Sequence, residues 1–113
     1  MVQIVGIEAP LKVNKSDYFK ITAKIKNRGD HDALGVTASV NSTEGLVLAK
    51  WESNTEKIPI IHKNEEISAD WWFVANQTTI TYWAIITVNL TTNSDNCDTE
   101  KIPVQIVNSE KSS

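Results

Sequence analysis

The residues best suited to chemistry cluster in two acidic corners. "NSDNCDTE" carries Asp95, Asp98 and Glu100 around the single cysteine, Cys97, and a second corner holds Asp30 and Asp32. Oxygen-rich loops can hold calcium, but the central Gly and terminal Glu of an EF-hand loop are both absent. His31 and His62 are the only histidines, and neither stands at a spacing from carboxylates or the cysteine that suggests zinc. There is no Gly-x-Ser-x-Gly elbow, no His-Glu-x-x-His and, with four glycines in the chain, little to build a phosphate-cradling loop. The carboxylate pairs Glu65-Glu66 and Glu52/Glu56 read as solvated charge. The expectation is a protein that is not an enzyme and needs no metal or cofactor.

Three further patterns concern recognition. Four Asn-x-Ser/Thr sequons, at Asn14, Asn41, Asn76 and Asn89, are possible glycosylation sites and suit an exported glycoprotein. A chain this rich in Asn, Ser and Thr also produces sequons by chance. Four tryptophans, Trp51, Trp71, Trp72 and Trp83, are many for one small domain. The adjacent pair must face opposite ways in a strand, so one packs inside and the other lies out. Trp71 and Trp83 are the candidate ligand or partner surface, either for stacking sugar rings or for contact with a neighbouring domain. Last, Arg28-Gly29-Asp30 spells a tripeptide that animal adhesion receptors bind. Asn27, Gly29 and Asp30 also make a structural turn, in which Gly takes a positive φ and the Asn or Asp side chains bond nearby backbone. The turn reading needs no receptor and is preferred.

Bulk properties narrow the classes. The 113 residues suit one domain, long enough to bury a core without disulfides. A net charge of −3 with no basic block argues against gripping nucleic-acid phosphates. No apolar run is long enough to span a membrane. "MVQIVGIEAP" has neither a basic n-region nor a cleavage site, so it does not read as a signal peptide. If the protein is exported, this is expected to be a segment of something longer.

The elements that must position these residues are strands. In Tyr18 to Asn27, Phe19, Ile21, Ala23 and Ile25 fall on one face, with Tyr18, Lys20, Thr22, Lys24 and Lys26 on the other. That is the period of a half-buried strand. Leu34, Val36, Ala38 and Val40 repeat the pattern, as do Ile80, Tyr82, Ala84, Ile86, Val88 and Leu90, which place Asn41, Trp83 and Asn89 outward. Ile102, Val104 and Ile106 face in, and Pro103 puts that strand at or near an edge. Shorter runs at Val2 to Ile7, Leu46 to Trp51, Ile58 to Ile61 and Glu66 to Ala75 complete the set. Seven or eight strands separated by turns predict an all-β fold, an antiparallel immunoglobulin-like β-sandwich over residues 1–107, with 108–113 a polar tail or linker. A closed barrel is the alternative.

"FKITAKIKNRGDHDALGVTASV" resembles the opening hairpin of CARDB-type and S-layer-associated immunoglobulin-like domains of archaeal and bacterial surface proteins, with Asn27, Gly29 and Ala33 at the pattern's positions. "NEEISADWWFVANQTTITYWAIITVNL" resembles their later strand pair, although Asn64 stands where a glycine is usual and the glycine before the long strand is missing. The resemblance covers about residues 2 to 107 and implies a non-catalytic structural or adhesion module of a larger cell-surface or secreted protein, with an archaeal source implied by the same likeness. Expected partners are neighbouring domains of the parent chain or other surface proteins, outside the cell. A carbohydrate-binding module using surface tryptophans, with polysaccharide as ligand, is the alternative.

Overall fold

The structure, a computed structural model, describes residues 2–43, 45–75, 81–92 and 95–107. Nine strands appear among them, with no helix: β1 (Val2–Glu8), β2 (Lys12–Asn14), β3 (Tyr18–Asn27), β4 (Ala33–Ser42), β5 (Leu46–Leu48), β6 (Thr55–Ile61), β7 (Glu66–Ala75), β8 (Tyr82–Thr92) and β9 (Asp95–Val107). They form two sheets, ordered β1-β3-β7-β5 and β2-β9-β8-β4-β6. The arrangement is a sandwich with free edges rather than a closed barrel. Beyond the eight runs legible in the sequence, the ninth strand is β2, three residues paired in parallel with the end of β9.

The core forms because the alternating apolar faces of the two sheets meet. Ile21, Ala23 and Ile25 of β3 and Trp71 and Phe73 of β7 pack opposite Val36, Ala38 and Val40 of β4 and Ile86, Val88 and Leu90 of β8, all buried. Burying each large apolar side chain contributes about 1.5–3 kcal/mol, and the sum over both sheets offsets the entropy of ordering the chain.

Two local expectations fail for physical reasons. Leu34 was placed by parity with Val36 on the inner face, yet it is 63% exposed. Gly35 between them has φ 63°, a left-handed conformation that breaks the alternation, so Leu34 sits outside opposite Ile60. The stretch likened to an opening hairpin is no hairpin either, because β3 and β4 belong to different sheets. Residues 28–32 carry the chain across the end of the sandwich. Asn64, standing where the resemblance expects glycine, has φ 64°, a conformation Asn tolerates better than most residues.

The polarity of the strands sets the poles. Val2 pairs with Asn27 at one end, beside Thr92 and Cys97. Val107 pairs with Asn14 at the other, where Lys15 N–H donates to Val107 C=O (3.1 Å) and Ser16 N–H to Ala75 C=O (2.7 Å). β1 therefore enters the sandwich at one pole and β9 leaves it at the opposite one.

The edges of the five-stranded sheet are blunted. Val40 N–H donates to Asn54 C=O (2.9 Å), so alternate residues Glu56, Ile58 and Ile60 face β4. Pro59 then occupies a position whose N–H would point off the sheet. On the other side Gln105 N–H donates to Leu11 C=O (2.9 Å), away from β8, which gives Pro103 the same outward position. Proline at such sites removes the donor that a second chain would need.

Candidate functional site

The Arg28–Asp32 arch is built on Asn27, which is fully buried. Its Oδ1 accepts Gly29 N–H (2.9 Å), and its Nδ2 donates to His31 C=O (2.8 Å) and Ile61 C=O (2.9 Å). One amide thus fixes the turn and ties it to β6 across the end of the sandwich. Asn27 behaves as the turn reading expects, but Gly29 does not. The described glycines with positive φ are Gly35 and Gly45, so the arch owes its shape to the Asn27 side chain and not to a left-handed Gly29. Arg28 and Asp30 are exposed on the arch.

The arch lines a cleft of about 690 Å³ together with Val2, Leu34, Thr92 and Cys97. At its rim Asp32 Oδ1 accepts Lys63 N–H (2.9 Å), and Oδ2 lies 3.2 Å from His62 Nδ1. The Lys63 N–H, and after it the His62 ring, hold the Asp32 carboxyl below the usual carboxylate range. Among the described residues no three His, Cys, Asp or Glu side chains gather closely enough to hold a metal ion. Asp98, a candidate calcium ligand by sequence, spends its oxygens on backbone: Oδ1 accepts Thr99 N–H and Oδ2 accepts Ile4 N–H, each at 2.8 Å.

The tryptophans divide differently from the expectation. Trp71, one of the two proposed surface residues, is completely buried. In β7 it pairs with Ile21 and shares the inner face with Ala69, Phe73 and Ala75, while Trp72 is the one that points out. The run Ile67-Ala69-Trp71-Phe73-Ala75 at a single parity carried this signal in the sequence. Among the described residues, Trp71 Nε1 has no hydrogen-bond partner. Trp83 is 56% exposed, as expected, next to Ile85 on the outer face of the five-stranded sheet.

The aromatic cluster that sequence reasoning missed lies on the opposite face. Trp51, 65% exposed, stacks on Tyr18, 52% exposed, with ring centroids 5.6 Å apart and planes at 18°. β5 ends at Leu48; Ala49 N–H donates to Trp72 C=O and Glu52 N–H to Ala49 C=O, both 2.9 Å, which closes a tight turn carrying Trp51. The Glu52 carboxylate accepts Trp72 N–H (2.8 Å) and locks the turn to β7. In the register of β3 and β7, Tyr18 faces Val74 and Lys20 faces Trp72, so Trp72 is the diagonal neighbour of Tyr18 on the same face. Strand parity finds Tyr18 and Trp72, but no periodicity governs the turn that brings Trp51.

Of the sequons, Asn14 and Asn41 are exposed. Asn89 is half-buried, with its Oδ1 accepting the Thr99 hydroxyl (2.7 Å), and Asn76 lies outside the described residues.

No family model matches this chain, and no curated protein matches it. Among solved structures it is similar to the CARDB domain of PF1109 from Pyrococcus furiosus. The crystal structure of that domain, in complex with di-metal ions, has a TM-score of 0.69 at 15% identity, covering 94% of this chain and 85% of that one. The solution structure of the same domain also gives 0.69. The native conformation of E. coli alpha-2-macroglobulin contains a similar region, with a TM-score of 0.74 at 11% identity, covering 95% of this chain but 7% of that one. A region of a β-glucosidase from Listeria innocua scores 0.60 at 15% identity, over 90% of this chain and 16% of that one. The chain has the CARDB-type, immunoglobulin-like fold, which also recurs as a small part of much longer proteins.

Proposed function

We propose that this domain is a non-catalytic spacing and contact module of a larger cell-surface or secreted protein, working outside the cell. The observation that carries the reading is polar geometry: β1 enters at the Asn27 pole and β9 leaves at the Asn14 pole. A domain threaded that way extends a longer chain by its own length. Pro59 and Pro103 on the outer edges support a role in which contacts are made by faces and poles rather than by strand addition. Its partners in this reading are neighbouring domains of the parent chain or other surface proteins, and the exposed sequons at Asn14 and Asn41 suit an archaeal S-layer-like glycoprotein.

The test is a tandem of two copies of the chain joined directly, compared with one copy by small-angle scattering. A maximum dimension that nearly doubles supports a spacer; two copies folded side by side refute it. Glycopeptide mass spectrometry on protease-shaved intact host cells tests the location, and absence of the domain's peptides from the shaved fraction would count against a surface protein.

A further inference from the structure

We propose that the Tyr18–Trp51–Trp72 face is a binding platform for a neutral polysaccharide. The proposal deepens the reading of the domain as a module that works through its outer faces, and names a ligand for one of them.

The outward positions of a solvated sheet face are normally polar. Here Tyr18, Val47, Trp51 and Trp72 are all exposed at one end of the four-stranded sheet. The Trp51 turn is built to hold this state. It is anchored by two backbone bonds and by the Glu52 carboxylate, and the indole lies nearly parallel to the Tyr18 ring. A ring fixed before binding loses little conformational freedom when a ligand stacks on it.

The surrounding charges select the ligand. Lys20 lies opposite Trp72, and Lys50 precedes Trp51; Asp70, Glu52 and the exposed Asp17 beside Tyr18 supply the other sign. Asp70 Oδ1 accepts the Thr22 hydroxyl (2.7 Å), and Glu52 caps Trp72 N–H. Two cations against three carboxylates leave no positive excess, so the platform has no field to attract a nucleic acid or an acidic polymer. The same charges, set directly around the rings, are unsuited to the dry centre of a protein interface, which is depleted of charge. A pyranose chain satisfies both features. Its C–H faces stack on the ring faces that the Tyr18–Trp51 stack leaves exposed, while hydroxyls around its rim donate to the carboxylates and accept from the lysines. Trp83, by contrast, has Ile85 and Pro103 beside it and, among the described residues, no second ring stacked on it.

The experiment titrates the chain with soluble β-glucan, mannan and galactan, with heparin as the acidic control, following tryptophan fluorescence and the indole N–H resonances. Saturable shifts of Trp51 and Trp72 with one of the neutral polymers, and no Trp83 response, are expected. Trp51→Ala should weaken that binding by about tenfold or more, while Trp83→Ala leaves it unchanged and both variants keep the parent melting temperature. Silence across the neutral panel, a response centred on Trp83, or unchanged binding by Trp51→Ala would overturn the proposal. Resonances of this face that broaden with protein concentration alone would assign it to a second copy and also overturn it. The tandem scattering result is untouched by any of these outcomes, so the spacer reading stands or falls separately.

Discussion

The backbone N–H of Ile4 in β1 donates to the Asp98 carboxylate of β9 at 2.8 Å, across the side of the sandwich where the two sheets lie open. The other oxygen of the same carboxylate accepts Thr99 N–H. One side chain therefore satisfies an edge donor on each sheet and staples the sheets together. Truncation to Asp98→Ala leaves both donors unpaired and is expected to cost about 1–2 kcal/mol. Urea unfolding measures it; a loss under a few tenths would mean that water replaces the carboxylate without penalty.

The same logic applies with more force to Asn27, which is buried and makes three side-chain bonds. Asn27→Ala strands the Ile61 carbonyl and releases the arch, at an expected cost of about 2–3 kcal/mol. Arg28→Ala and Asp30→Ala should each stay within about 0.5 kcal/mol, since both side chains are exposed. Denaturant melts of the three variants check this contrast. Equal losses in all three would show that the tripeptide itself, and not its Asn27 anchor, holds the corner.

Edge protection predicts an association phenotype rather than a stability one. Pro59→Thr restores an outward N–H on the edge strand β6, Pro103→Thr restores one on β9 where β2 no longer covers it, and the double variant is expected to self-associate at concentrations where the parent is monodisperse. Sedimentation velocity reads the outcome, and a monodisperse double variant would remove proline from the account of these edges.

Asp32 gives a pH dependence whose sign is fixed. Its folded carboxyl titrates below its ordinary value, chiefly through the Lys63 N–H and the His62 ring. The stability it contributes is present above the unfolded pKa of about 3.9 and is lost as pH falls through the lower folded value. Asp32→Asn should therefore lose stability at pH 6 relative to the parent, and the two should converge at strongly acid pH. Melts across pH 2 to 6, about the range of carboxylate titration, test this; a constant offset would exclude a titrating contribution from Asp32.

How much of this was legible in the sequence follows from how local each cause is. The alternation in Tyr18 to Asn27 is a property of adjacent residues, and the core face it named, from Phe19 to Ile25, is the one buried. Pro103 marked an edge for an equally local reason. Leu34 misled because a single left-handed glycine reverses parity, and the sequence does not show which glycine will be left-handed. The sheet assignment of β3 and β4 depends on pairings with β7 and β8, far along the chain, so two neighbouring strands looked like a hairpin when they are not. The platform was hidden for the same reason: Tyr18 and Trp51 meet through a turn whose lock, Glu52 on Trp72 N–H, joins residues 20 apart.

Trp71 and Trp83 test the division between core and surface. Trp71 fills the space between Ile21 and Phe73 with no exposure, so Trp71→Ala should cost about 3–5 kcal/mol through the cavity it leaves. Trp71→Phe is more informative. It removes ring volume, but it also removes an Nε1 donor that is buried without a partner. An unpaired donor costs about 1–3 kcal/mol, so the two effects oppose and the net loss should be well below that of alanine. Trp83→Ala, on the outer face, should change stability by less than about 0.5 kcal/mol. Equilibrium unfolding of the three variants gives the order alanine at 71, then phenylalanine at 71, then alanine at 83. If Trp71→Phe proves as damaging as Trp71→Ala, the indole N–H is being satisfied, and a buried water is the partner to look for.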